Sequence, residues 1–128
     1  MSLSKRSGGR SAIHDTAYIA ADNELLAPHF GIIAESSSGD NEVVAAQAGY
    51  KIRVLAYNFT SNGAVNAKWR SATTDISGRS FMDAAGKGKV APFNPVGWVE
   101  TAAGEALNLN LSAAIAVEGE LVYVLVPA

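Results

Sequence analysis

"EALNLNLSAAIAVEGELVYVLV", Glu105 to Val126, holds two strands of different kinds, and the difference decides the fold. Successive side chains of a strand point to opposite faces. Leu107, Leu109 and Leu111 therefore share one face, and Asn108 and Asn110 share the other. This is a strand with one dry face and one polar face. After the break at "SAAIA", Glu118 and Glu120 bracket Gly119, and Leu121 to Val126 is apolar on both faces. A strand of that kind has no polar face to give to water, which raises the question of what covers its second side.

The same texture extends upstream. "YKIRVLAYNFT" (50–60) alternates, with Ile52, Val54, Ala56 and Asn58 opposing Arg53, Leu55, Tyr57 and Phe59. "AVNAKWRSA" (64–72) sets Val65, Ala67 and Trp69 against Asn66, Lys68 and Arg70, which puts Trp69 in the core. Between these runs "SNG" (61–63) reads as a hairpin turn, because Asn-Gly readily takes the positive φ such turns need. "FGIIA" (30–34), "EVVAA" (42–46) and "GRSFMDA" (78–84) are further short strands, with turns at "SSSGDN" (36–41), "QAGYK" (47–51) and "AGKGK" (85–89). "VAPFNPVGWVET" (90–101) carries two prolines, so it is an edge strand or an extended crossing. About eight short strands at 8–12 residue spacing, with no long amphipathic helix, predict an all-β antiparallel sandwich or jelly roll over residues 29–128.

Residues 1–28 read as an extended arm. Met1 to Arg10 is Ser, Gly and basic residues without periodicity. Ile13, Tyr18, Ile19, Leu25 and Leu26 are scattered anchors, and "DNELL" fits one helical turn capped by Asp22. No apolar stretch follows the basic start, so no secretory signal is expected.

Composition narrows the function classes. The chain of 128 residues has no cysteine, which removes disulfides, thiolate metal sites and cysteine nucleophiles. Ten basic against twelve acidic residues leave a net charge of −2, unlike a protein that holds nucleic acid by bulk electrostatics. No apolar run approaches the roughly 20 residues of a membrane helix. Charged residues make up 17%, below the roughly 25% of typical soluble domains, so part of the surface is expected to face protein.

No catalytic arrangement emerges. The only imidazoles, His14 and His29, lie in or beside the arm. "GKGK" (86–89) lacks the spacing and the Ser or Thr of a phosphate loop. Asp75 and Asp83 read as turn residues, although paired carboxylates could serve glycoside hydrolysis. "NFT" at Asn58 matches a glycosylation acceptor but lies in a strand run. The expectation is a non-enzyme without cofactor, metal or small-molecule substrate.

"KIRVLAYNFTSNGAVNAKWRS" (51–71), "VAPFNPVGWVETAAGEALNLNLSAAIAVEGELVYVLV" (90–126) and "SGDNEVVAA" (38–46) resemble small capsid decoration (cement) proteins of tailed phages, of jelly-roll, tumour-necrosis-factor-like type. The resemblance spans about residues 30–128 and rests on no catalytic motif. It implies a homotrimer made in the bacterial cytoplasm that sits on the outer capsid, binds the major capsid protein and stiffens the head. Neither nucleic acid nor membrane is an expected partner. Lys5, Arg6, Arg10, Ile13, Tyr18 and Ile19 are then candidates for capsid contact, and Asn108, Asn110 and Tyr123 for the subunit interface. The alternative is a glycan-binding jelly-roll module of a phage tail, with Trp98 and Tyr57 as stacking platforms.

On this reading, a chain lacking residues 1–28 stays folded and oligomeric but binds heads less well. Circular dichroism, light scattering and head pelleting check the three parts of that expectation.

Overall fold

The computed structural model describes residues 18, 19 and 25–128, and all regular structure among them is strand. A short antiparallel pair comes first, β1 (Tyr18–Ile19) with β2 (Leu25–Leu26). Then follow β3 (His29–Glu35), β4 (Gly39–Val44), β5 (Tyr50–Ser61), β6 (Val65–Ser71), β7 (Thr74–Asp75) and β8 (Ser80–Met82). The chain continues through β9 (Gly88–Ala91), β10 (Val99–Glu100), β11 (Leu107–Leu111) and β12 (Val117–Pro127).

Two antiparallel sheets pack face to face. The first runs β3-β12-β5-β9 and the second β4-β11-β6-β8, which is jelly-roll order. The two-residue strands β10 and β7 extend the β5 and β6 edges of these sheets. The sandwich thus has ten strands, against about eight expected from sequence, the two additional ones being the two-residue β7 and β10.

Consecutive strands mostly lie in opposite sheets, and this corrects the reading of "SNG". Strand β5 pairs with β12, β9 and β10, and β6 pairs with β11, β7 and β8, so residues 61–65 cross between sheets. Gly63 is absent from the positive-φ residues. Instead Asn62 N–H donates to Ala116 O at 2.9 Å, and a Cβ on Gly63 would sit 3.3 Å from Ile115 Cγ2. Tertiary pairing of the long β5 overrides the local turn signal.

The helical turn expected at "DNELL" falls mostly within residues 20–24, outside the described part. Of that stretch Leu25 and Leu26 form β2, which pairs with β1, and Leu26 packs on the sandwich.

The core lies between the sheets. Leu107, Leu109 and Leu111 point inward from β11, opposite Ile33, Tyr57, Phe59 and Leu121. Trp69 sits among them, edge-on to Tyr57 and Phe59 at 5.3 and 6.4 Å between ring centroids. Its buried indole N–H has no acceptor.

Strand β12 is the centre of the first sheet, paired with β3 on one side and β5 on the other. Its partner β5 carries a bulge: Val54 pairs with Tyr123 and Ala56 with Val122, leaving Leu55 unmatched. The bulge changes the parity of β5, so Ile52, Val54, Tyr57 and Phe59 all reach the core. Tyr123 and Leu125 also pack on that core, and Val124 and Val126 therefore point outward. With Leu55 they form a second cluster, covered by Leu26 of β2. The residues at the end of the expected arm are thus packed on the sandwich.

Gly119 lets β5 and β12 approach. A Cβ there would lie 1.9 Å from Asn58 O, against backbone that cannot step aside. Gly119→Ala is expected to cost more than about 2 kcal/mol in urea unfolding. Gly78→Ala, where nothing lies within 4 Å, should stay within about 0.5 kcal/mol of the parent.

Candidate functional site

The outer faces of the two sheets differ in chemistry. On the second sheet, β6 turns Lys68 and Arg70 outward beside Asn108 and Asn110 of β11, with Asp40 of β4 and Asp75 of β7 at the flanks. These groups pair with one another, although the buried Arg70 Nε makes no hydrogen bond. Arg70 reaches Asp40 at 3.1 Å and Asp75 at 3.0 Å, and Lys68 reaches Asp75 at 3.0 Å. Asn110 Nδ2 donates to Asp40 Oδ1 at 2.8 Å, and Asn108 Nδ2 to Ala72 O at 2.9 Å. The Lys68 hydrogen bond, reinforced by the charges of Lys68 and Arg70, holds the Asp75 carboxyl below its ordinary value of 3.8. Most of this face is polar, and its β8 edge carries Phe81, 76% exposed, with Arg79 over its ring at 5.9 Å.

The first sheet presents the opposite. Phe30 and Ile32 project from β3 and Val90 from β9, exposed by 84%, 76% and 76%. Between them the floor is made by Val122 and Glu120 of β12 and by Ala56 and Asn58 of β5. The register explains the shape. Val122 lies between Phe30 and Ala56, and Glu120 between Ile32 and Asn58, which in turn faces Val90. Large apolar side chains on the two outer strands thus wall in smaller ones at the centre. The result is an open trough of about 510 Å³, closed beside β9 by Pro92. Four strands at their usual spacing make it about 14 Å across.

Beyond Pro92 the edge carries a loop with more exposed apolar side chains: Phe93, Val96 and Trp98. It is firmly tied. Asn94 N–H donates to Leu55 O, Trp98 N–H to Val54 O, and the Trp98 indole to Pro92 O at 2.7 Å. The two prolines fall in this loop rather than in β9 or β10, as expected of an edge. Large contiguous apolar patches on a small protein mark contact surfaces.

The residues singled out from sequence are dispersed. Asn108 and Asn110 lie on the polar face with partners in their own chain. Tyr123 belongs to the other sheet, packs inward and stacks on His29 with ring centroids 5.3 Å apart. Tyr18 and Ile19 form β1, and Lys5, Arg6, Arg10, Ile13 and His14 lie outside the described residues. Of the two glycan platforms, Trp98 is 43% exposed and Tyr57 is buried. Asp75 is engaged as above, and Asp83 lies 4.0 Å from Lys87. Among the described residues, no group of three His, Asp or Glu is placed to hold a metal.

Phe30, Ile32 and Val90 were not singled out by the sequence reading. A signal was present: in "FGIIA", Phe30 and Ile32 share one face while Ile33 takes the other, so β3 is apolar on both sides. The chain matches no family model, no curated protein and no solved structure in the comparisons made with them.

The lowered Asp75 pKa fixes a sign. Its ion pairs stabilise the fold at pH values above 3.8, and that stability is lost as pH falls through the lowered folded-state value. Asp75→Asn should therefore be less stable than the parent near neutrality. Urea unfolding at a series of pH values should show the two converging in acid.

Proposed function

We propose that the chain is a structural virion protein, a capsid decoration protein that assembles as a homotrimer and binds the major capsid protein on the outer surface of a phage head. The observation that carries this reading is the uncovered trough of Phe30, Ile32, Val90 and Val122, a contiguous apolar surface. It is set against a second sheet whose outer face is mostly polar and interrupted by Phe81 alone among the described large apolar side chains. A sandwich that met water on both sides would have no use for that asymmetry. Burying four such side chains between protein surfaces contributes on the order of 1.5–3 kcal/mol each before the costs of association. The trough is the subunit contact in this reading, and the sequence resemblance supplies the capsid as the further partner.

The contact would differ from the one expected from sequence. Asn108 and Asn110 lie away from the trough and are engaged within the chain. The apolar walls on β3 and β9 take the interface role instead. The low charge content fits, since the central parts of interfaces are depleted in charge.

One observation favours a second reading, a glycan-binding module. Trp98 is part-exposed on a loop held in place by its own hydrogen bonds, as a sugar-stacking platform needs. The burial of Tyr57 takes away the second platform.

Two measurements test the proposal. Incubated with undecorated heads and spun, the protein should pellet with them; retention in the supernatant would sink the capsid role. Ile32→Glu and Val90→Glu, both at exposed positions, should leave the circular dichroism spectrum of the folded chain unchanged, and any loss of unfolding stability should be that of the parent diluted to monomer. The same changes should shift the light-scattering mass from trimer to monomer. Tryptophan emission that moves on adding glycans, with no head binding, would transfer the case to the second reading.

A further inference from the structure

The trough does not end at Val122. Along β12 the next outward side chains are Val124 and Val126, and Leu26 of β2 already covers these together with Leu55. The N-terminal part of the chain therefore enters the outer face of the first sheet one step from where the bare surface begins. Its route continues there, because Tyr18 pairs with Leu26 across β1 and β2, which puts their Cα atoms about 5 Å apart. Seventeen residues precede Tyr18. Fully extended they would reach about 56 Å, several times the width of the trough.

Charge points the same way. Glu118 and Glu120 stand outward and exposed on β12, and no described side chain pairs with either. The first 17 residues carry Lys5, Arg6 and Arg10 against a single acid, Asp15. They also bring apolar groups at two separated places, Met1 with Leu3 and Ala12 with Ile13. A trough with apolar walls, Glu120 in its floor and Glu118 just beyond it on the same strand suits a segment of that composition.

We infer that residues 1–17 of the same chain occupy the trough beside Leu26, with Ile13 against the apolar walls and the three cations at Glu118 and Glu120. This rests on the reading of the trough as the subunit contact surface, and it names what regulates that surface. A tethered segment competes at an effective concentration on the order of millimolar. Subunits then assemble only where their neighbours outbid the segment. The cover is electrostatic in part, so it weakens as salt rises.

The test uses the full chain. Lys5→Glu, Arg6→Glu and Arg10→Glu together reverse the segment's charge without touching the described sandwich. Nile red, a neutral dye, reports the open trough, and light scattering over a dilution series reports assembly. The reversed chain should bind several times more dye and assemble at about tenfold lower concentration, on the scale of a lost tethered competitor. Adding Glu118→Lys and Glu120→Lys to it should restore both readings, which general damage to the fold would not do. Unchanged dye binding in the reversed chain, or no restoration by the swap, would overturn the inference. Dye binding by the parent that rises on dilution would also overturn it, by making a second copy the occupant. If the dye responds and is restored but neither chain assembles at any concentration, the cover stands and the subunit-contact reading falls.

Discussion

The pairing of β12 between β3 and β5 is the constraint on which the rest of the structure depends. One strand supplies inward side chains to the core from Val117 to Leu125 and outward ones to the cluster under Leu26. Gly119 makes the pairing possible by leaving room for the backbone of Asn58. The bulge at Leu55 keeps the twelve residues of β5 aligned with it while moving one leucine to the outer face. A single register therefore fixes the core, the second apolar cluster and the floor of the trough together.

The sequence carried the sandwich clearly and its surface poorly. Alternation in Leu107–Leu111 and Val65–Ser71 named the inward residues of the second sheet correctly, because one face of each strand meets water. The apolar run of β12 was also legible, but not its central place, since β3 is apolar on both faces and lies at the edge of the same sheet. Connectivity was not legible. "SNG" has the residues of a hairpin, and the choice between hairpin and crossing is made by pairings some fifty residues away in the chain. The trough escaped for a related reason. Phe30 and Val90 come together only because β12 and β5 lie between their strands. The asparagines misdirected attention to the other sheet, where Asp40 and Ala72 already hold them.

The two outer faces show how differently polar and apolar surfaces can be left unfinished. The Asp40–Arg70–Asp75–Lys68 chain is complete within one molecule, and its exposed ion pairs are individually of small value. Their effect is to make the second sheet a poor place for another protein to dock, since any partner would have to desolvate charges already satisfied. The trough offers a partner surface without that cost, and the rigid Pro92–Trp98 loop extends it along the edge.

The jelly-roll order also bears on how the chain comes to be folded as it is made. Among the described strands β3 has β12 as its one sheet neighbour, and β12 follows it in the chain by some eighty residues. At ordinary rates of synthesis the intervening stretch takes on the order of 5–20 s. Through that interval Phe30, Ile32 and Ile33 have no strand beside them, and the first sheet can close only after Pro127 has emerged. The first sheet is thus completed late in synthesis, and until then its apolar β3 edge is open to other chains.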